Sequence, residues 1–291
     1  MLPIWFKKAV DLYMDGYSYM KIGKELNVDR KKVSKILTEN GYGAQYSFKN
    51  KGGVLREFEV WRKYSVDENF FEVIDTEEKA YWLGFLYADG YVSSQKSSIE
   101  LGLQEKDLSH IELFAQHIKS NSPISKHKRT LNGNDYHGYR ITINSQKIKN
   151  DLINKGCTEN KSLTLTFPTY EQVPKNLMKH FIRGYVDGDG CYYIHKNPCK
   201  SSRTGFKSRI VFEVAGTEEF LRGIVSELGL HSNKIHDLHK GRPKSKKINY
   251  SGVYAERIIS FLYSDASVYL ERKHEKIKNY LPSNNKTHES C

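Results

Sequence analysis

Apolar and polar positions along the chain fall into three regimes. Between residues 4 and 42, apolar residues recur at helical spacing in three short runs. IWFKKAVDLYMDG stops at Gly16, SYMKIGKEL begins behind Ser18 as a candidate N-cap, and DRKKVSKILTENG is capped by Asp29 and stopped by Gly41. In the third run Val33, Ile36 and Leu37 share a face, which leaves Arg30, Lys31, Lys32 and Lys35 pointing outward. From 43 to 72 the periodicity dissolves into glycines, charges and scattered aromatics. That pattern predicts a linker, either lying along a partner or without any binding role.

Beyond residue 72 the chain repeats itself. KAYWLGFLYADGYV (79–92) is echoed by KHFIRGYVDGDGCY (179–192), an offset of 100 residues. Strand-like SIELGLQ (98–104) and RIVFEVAG (209–216) follow, then the amphipathic helices DLSHIELFAQHI (107–118) and TEEFLRGIVSELG (217–229). YRITI (139–143) and KKINYSG (246–252) add strands, and SQKIKNDLINKG and AERIISFLYSD close each copy with a helix. The expected fold class is α+β: two pseudo-symmetric α-β-β-α-β-β-α halves behind a small all-α module. The predicted boundaries are a helix-turn-helix at 1–42, a linker at 43–72, halves at 73–160 and 161–282, and a disordered tail at 283–291.

Aligning the copies pairs Gly84 with Gly184, Ala88 with Gly188, Asp89 with Asp189 and Gly90 with Gly190. Small residues at i and i+4 share one helical face, where two backbones can approach more closely than the usual ~8–10 Å. Packing along that face brings Asp89 and Asp189 out together at helix C-termini. A carboxylate there opposes the helix dipole by roughly 0.3–1 kcal/mol. Two neighbouring acids also repel unless a cation lies between them. Hard divalent ions are held by few carboxylates plus phosphate oxygens, so Asp89 and Asp189, with the adjoining Ala88 and Gly188, form a candidate metal site. Tyr87 stands where the second copy has Asp187, so register selects Asp189 over Asp187.

Charge then narrows the partners. Lys plus Arg is 46 against 34 Asp plus Glu, a net charge of +12 with pI near 9.3, which favours nucleic acid. Seven of those charges lie between 191 and 250, where 12 basic residues face 5 acidic ones. Within it, HKNPCKSSRTGFKSR and HKGRPKSKK read as hairpin tips that meet phosphates, with Lys196, Lys200, Arg203, Lys207, Arg209, Lys240, Arg242, Lys244, Lys246 and Lys247 as the DNA-binding candidates. No run approaches the ~20 apolar residues of a membrane span. The four cysteines show no CxxC pairing, and His231, His236 and His239 have no completing ligands, so neither zinc nor a disulfide framework is expected. The expected setting is a reducing cytoplasm.

WLGFLYADG (82–90) and IRGYVDGDG (182–190) resemble the paired signature of the LAGLIDADG homing endonucleases. The resemblance spans roughly 73–282 and includes YLERKHEKI near the end. It implies halves packed about the signature helices, a saddle of antiparallel strands over double-stranded DNA, and hydrolysis of both strands by a monomer. It implies that Asp89 and Asp189 bind Mg²⁺ (or Mn²⁺), with Ca²⁺ supporting binding without cleavage. By position it also implies Gln104 as a polar catalytic residue, with Lys147 and Arg257 as basic ones. Trp82, Leu83, Tyr87 and Arg183 depart from the pattern, and Gly216 cannot replace the polar residue in the second half. The N-terminal module is similar to the helix-turn-helix of resolvases and small repressors, whose last helix enters the major groove. A basic three-helix bundle that binds protein is the alternative. For the whole chain the alternative is a non-cleaving binder on the same fold, an intron maturase with its host intron RNA as partner or a transcription regulator.

Overall fold

The computed structural model describes residues 2–15, 17–40, 63–131, 134–159, 161–198, 206–231, 235–238 and 245–284. The chain divides into two units, Met1–Lys63 and Tyr64–Cys291.

The first unit holds three helices, α1 (Phe6–Met14), α2 (Tyr19–Glu25) and α3 (Arg30–Glu39). Both expected N-caps form: the Ser18 side chain accepts from the Lys21 amide at 3.3 Å, and Asp29 accepts from the Lys31 and Lys32 amides at 2.9 and 3.3 Å. Ala9, Tyr13, Ile22, Val33 and Leu37 make a separate small core. Ile36 is half-buried, while Arg30, Lys31, Lys32 and Lys35 stay exposed. The helix stops expected at Gly16 and Gly41 lie outside the described residues, as does 43–62 of the expected linker.

The second unit begins earlier than the sequence suggests. Residues 64–72 belong to it because Phe70 and Phe71 bury their rings in its core, and the Asp67 amide donates to the Ile118 carbonyl at 2.8 Å. Two equivalent halves follow. The first runs α4 (Glu77–Asp89), β1 (Gly90–Val92), β2 (Ser98–Gln104), α5 (Leu108–His117), β3 (Ile124–Leu131), β4 (Asn134–Asn144) and α6 (Gln146–Asn154). The second runs α7 (Met178–Asp189), β5 (Gly190–Pro198), β6 (Phe206–Gly216), α8 (Glu218–Glu227), β7 (Ile235–Asp237), β8 (Lys246–Ser251) and α9 (Val253–Tyr263). A last helix, α10 (Glu271–Asn284), covers part of the stretch expected to be tail, whose residues 285–291 lie outside the description.

Each half folds its strands into an antiparallel four-stranded sheet of the same order, β1-β2-β4-β3 and β5-β6-β8-β7. Alternation assigns the faces. Ile99, Leu101, Ile141 and Ile143 point into the core of the first half, as Ile210, Phe212, Val214, Ile248 and Tyr250 do in the second. Glu100, Gly102 and Arg140 fall on the opposite face, matched in the second sheet by Glu213, Ala215 and Lys247. This is the α+β architecture that the repeat predicts.

Candidate active site at the paired helix ends

Helices α4 and α7 pack against each other along their small residues. A methyl group built on Gly84 would overlap the Phe181 carbonyl, and one on Gly184 would overlap the Tyr81 carbonyl. Glycine at both positions therefore sets the approach of the two backbones. The helices share one burial profile. They are buried through Tyr87 and Asp187, half-buried at Ala88 and Gly188, and exposed at Asp89 and Asp189. At the end of the crossing, a Cβ on Gly188 would lie 3.2 Å from an Asp89 carboxylate oxygen. The two acids thus emerge side by side.

Protein crowds them although their tips reach solvent. For Asp89, burial and then the Asp189 charge push its pKa up to about 6, against the pull of Lys273 and Lys161. Burial likewise raises Asp189, offset by Lys161, Lys273 and a hydrogen bond from Tyr185. These two lysines join the candidate site, and the sequence pattern did not reveal them. The buried Lys161 ammonium donates to the Gly90 carbonyl. Lys273 donates to the carbonyls of Val186, Gly188 and Gly190 at 2.9, 3.1 and 2.5 Å. Each lysine thus caps the C-terminal end of one signature helix, where carbonyls are left without intrahelical partners.

The first aspartate of the second signature has a different environment. Asp187 is buried and accepts from the Tyr81 hydroxyl at 2.8 Å, the Tyr263 hydroxyl at 2.5 Å and the Leu270 amide at 2.8 Å. Arg183, a departure from the family pattern, is fully buried as well. It donates to Glu77 at 2.6 Å and to the carbonyls of Leu262 and Val268 at 2.8 and 3.0 Å. Glu77 in turn accepts from the Ser267 and Val268 amides at 2.7 and 3.1 Å. Both residues hold the segment between α9 and α10 against the signature helices.

The other candidates spread over the molecule. Gln104 ends β2 in an exposed position, and Arg257 is exposed on α9. Lys147 is paired with Glu72 at 2.8 Å and Asp151 at 2.9 Å. Charge beside the acids comes from Lys161 and Lys273 instead. Lys207, Arg209 and Lys247 share the helix-free face of the second sheet with His195. Lys196 falls on the opposite face, and Lys246 is turned toward Asp237 at 2.6 Å and Glu218 of α8 at 3.9 Å. Lys200, Arg203, Lys240, Arg242 and Lys244 lie outside the described residues. A groove of about 600 Å³ runs from Asp89 past Tyr91 and Glu100 to Arg140 on the first sheet. Glu100 pairs with Arg140 at 3.1 Å, and Glu213 pairs with Lys247 at 3.1 Å, so equivalent ion pairs stand on both sheets.

The donor set suits a hard divalent ion. Two carboxylates raised in pKa by burial, Asp89 also by the Asp189 charge, are relieved by a cation, and Mg²⁺ is commonly held by one or two carboxylates with phosphate and water completing the shell. Among the described residues there is no cluster of three or more His, Cys, Asp or Glu that would make a closed protein site. No described helix is long and apolar enough to cross a membrane.

No family model and no curated protein matches the chain. Solved structures do. The chain is similar to the meganuclease I-SmaMI bound to uncleaveable DNA, at 14% identity and TM-score 0.46 over 74% of this chain and 92% of that one. It is similar to the LAGLIDADG meganuclease I-AabMI bound to uncleaved DNA, at 12% identity and TM-score 0.48 over 73% and 91%. The I-LtrWI LAGLIDADG homing endonuclease bound to target DNA gives 13% identity and TM-score 0.48 over 76% and 92%. These solved structures carry the name of the family that the paired signatures of this chain resemble.

Proposed function

We propose that this protein is a site-specific, divalent-metal-dependent DNA endonuclease whose active site lies at the C-terminal ends of α4 and α7. One observation carries the reading: two carboxylates, delivered side by side by glycine-packed helices, stand beside two buried lysines in a protein of net charge +12. Asp89 and Asp189 would hold Mg²⁺ or Mn²⁺, which when bound supplies an activated water and stabilises the leaving oxygen of the phosphodiester. Lys161 and Lys273 add fixed positive charge where the attacked phosphate gathers negative charge. Ca²⁺, larger and less demanding in geometry, would support binding without cutting. Tyr193, His195, Lys207 and Arg209 on the second sheet and Tyr91 and Arg140 on the first would line a DNA-binding saddle. The exposed basic residues of α3 would enter a major groove. The two halves differ in sequence, so the target is asymmetric.

Asp189→Asn and Asp89→Asn keep side-chain shape but remove a charged ligand. Each should lower cleavage in Mg²⁺ by orders of magnitude, while binding measured in Ca²⁺ persists because affinity comes from the basic surfaces. Full cutting by either variant would remove the basis of the proposal. Binding without cutting by the unaltered protein, with every divalent ion tried and on every DNA selected for binding, would favour the regulator or maturase reading.

A further inference from the structure

Register places Tyr87 and Asp187 at equivalent positions of the two signature helices, and their chemistry is opposite. One is a hydrogen-bond donor that burial keeps protonated, and the other is a carboxylate that accepts. The structure shows what each one binds. The Tyr87 hydroxyl donates to the Lys155 carbonyl, just past the end of α6 and six residues before Lys161. Asp187 accepts from the Leu270 amide, just before α10 and three residues before Lys273. Both bonds are made by buried side chains and both end on backbone. In each half the segment so held runs from the closing helix toward the lysine beside the acids. The two segments themselves share no sequence pattern, and the first turns through Gly156 at φ 94° whereas the second leads into a helix.

We infer that Tyr87 and Asp187 are positioning residues with one task, tethering the lysine-bearing strap of each half so that Lys161 and Lys273 reach the metal-binding acids. The exchange of tyrosine for aspartate is then a reversal of polarity rather than a loss. One half offers the strap a donor for its carbonyl, and the other offers an acceptor for its amide. Neighbouring contacts act on the same segments: the Cys157 thiol lies 3.5 Å from the Leu86 carbonyl, and Glu77 takes the Ser267 and Val268 amides. This inference rests on the endonuclease reading for its effect on rate, and on the fold alone for the tether.

The test separates the two. Tyr87→Phe deletes one hydroxyl and keeps the ring, so the fold is retained. Single-turnover cleavage at saturating DNA should fall roughly 10–100-fold, the range expected for a displaced active-site group, with affinity in Ca²⁺ unchanged. In a Lys161→Gln background the same substitution should add no further loss, because it acts through that lysine. Asp187→Leu should behave likewise with Lys273→Gln. Asp187→Asn keeps an acceptor for the Leu270 amide and should restore cutting to near the parent rate. Independently of activity, hydrogen exchange should accelerate across 155–161 in Tyr87→Phe and across 264–273 in Asp187→Leu, while α4 and α7 stay protected. Parent-like cutting and exchange in Tyr87→Phe would overturn the inference. So would a loss that adds in full to that of Lys161→Gln. Retained cutting by Asp89→Asn and Asp189→Asn would instead overturn the nuclease reading, leaving the exchange result to decide the tether.

Discussion

Asp89 and Asp189 are held where their charges are unwelcome, and this has a measurable sign. The folded state raises the Asp89 pKa from its ordinary 3.8 to about 6. Its contribution to stability is therefore full below the unfolded value and is lost as pH rises through 6. Asp89→Asn should raise the melting temperature of the metal-free protein at pH 8 and leave it nearly unchanged at pH 4. Divalent ions oppose the same penalty. Mg²⁺ should stabilise the unaltered protein more at pH 8 than at pH 5.5, where a proton competes for the carboxylate, and should stabilise Asp89→Asn less. A melting curve against pH with and without Mg²⁺ checks both; equal shifts at the two pH values would place the ion elsewhere. The acids were legible because the repeat marks them at a fixed offset. Lys161 and Lys273 were not, since they follow α6 and α9 at unequal distances and belong to segments that share no motif. YLERKHEKI supports the family resemblance and contains Lys273, but only the fold shows that its ammonium points at helix carbonyls.

At the scale of the element, two features of the signature helices predict large losses. Gly84→Ala puts a methyl group into the Phe181 carbonyl, a backbone atom that cannot rotate away. Overpacking of this kind costs about 1–3 kcal/mol and occasionally more, and Gly184→Ala should match it. Arg183→Leu leaves Glu77 and two carbonyls without their buried partner, a loss of about 3–5 kcal/mol. Urea denaturation of the core unit measures both, and a change below about 1 kcal/mol in either would contradict the contacts described. The same helices show why parts of the fold were readable and parts were not. β2 and β4 each cover the core with alternate side chains, so their apolar pattern revealed them. β3 and β7 are edge strands that pair on one side and bury little, and a run such as KHKRTL within β3 carries no alternation to read. Residues 64–72 read as linker because Phe70 and Phe71 are isolated aromatics without a period.

At the scale of the molecule, the division after Lys63 separates two basic units, each with its own core. Removing residues 1–63 should leave a folded core that cuts at higher protein concentration and binds with a shallower salt slope, because the slope counts phosphate contacts. Identical affinity and slope in the truncated protein would show that α3 does not touch DNA. On the second sheet, replacing Lys207 and Arg209 with Ala should weaken binding more than replacing Lys246, which already neutralises Asp237. Titration by fluorescence anisotropy at several salt concentrations distinguishes these outcomes.

The ion pair between the half-buried Glu77 and the buried Arg183 has no twin. Register places Leu177 opposite the first and Leu83 opposite the second, so the charge pair exists only where a first half meets a second half. Two copies of the second half would confront each other with an arginine and no carboxylate, and two copies of the first with a glutamate and no guanidinium. Either mismatch strands a charge in the interior at a cost of several kcal/mol. The pair is thus an address that distinguishes self from non-self among halves that are otherwise close in shape. A chain opened at the exposed turn between Tyr170 and Glu171 should reassemble from its two pieces only as the unlike combination. Co-expression of differently tagged pieces would show it, and Arg183→Leu together with Glu77→Leu should let like pieces pair.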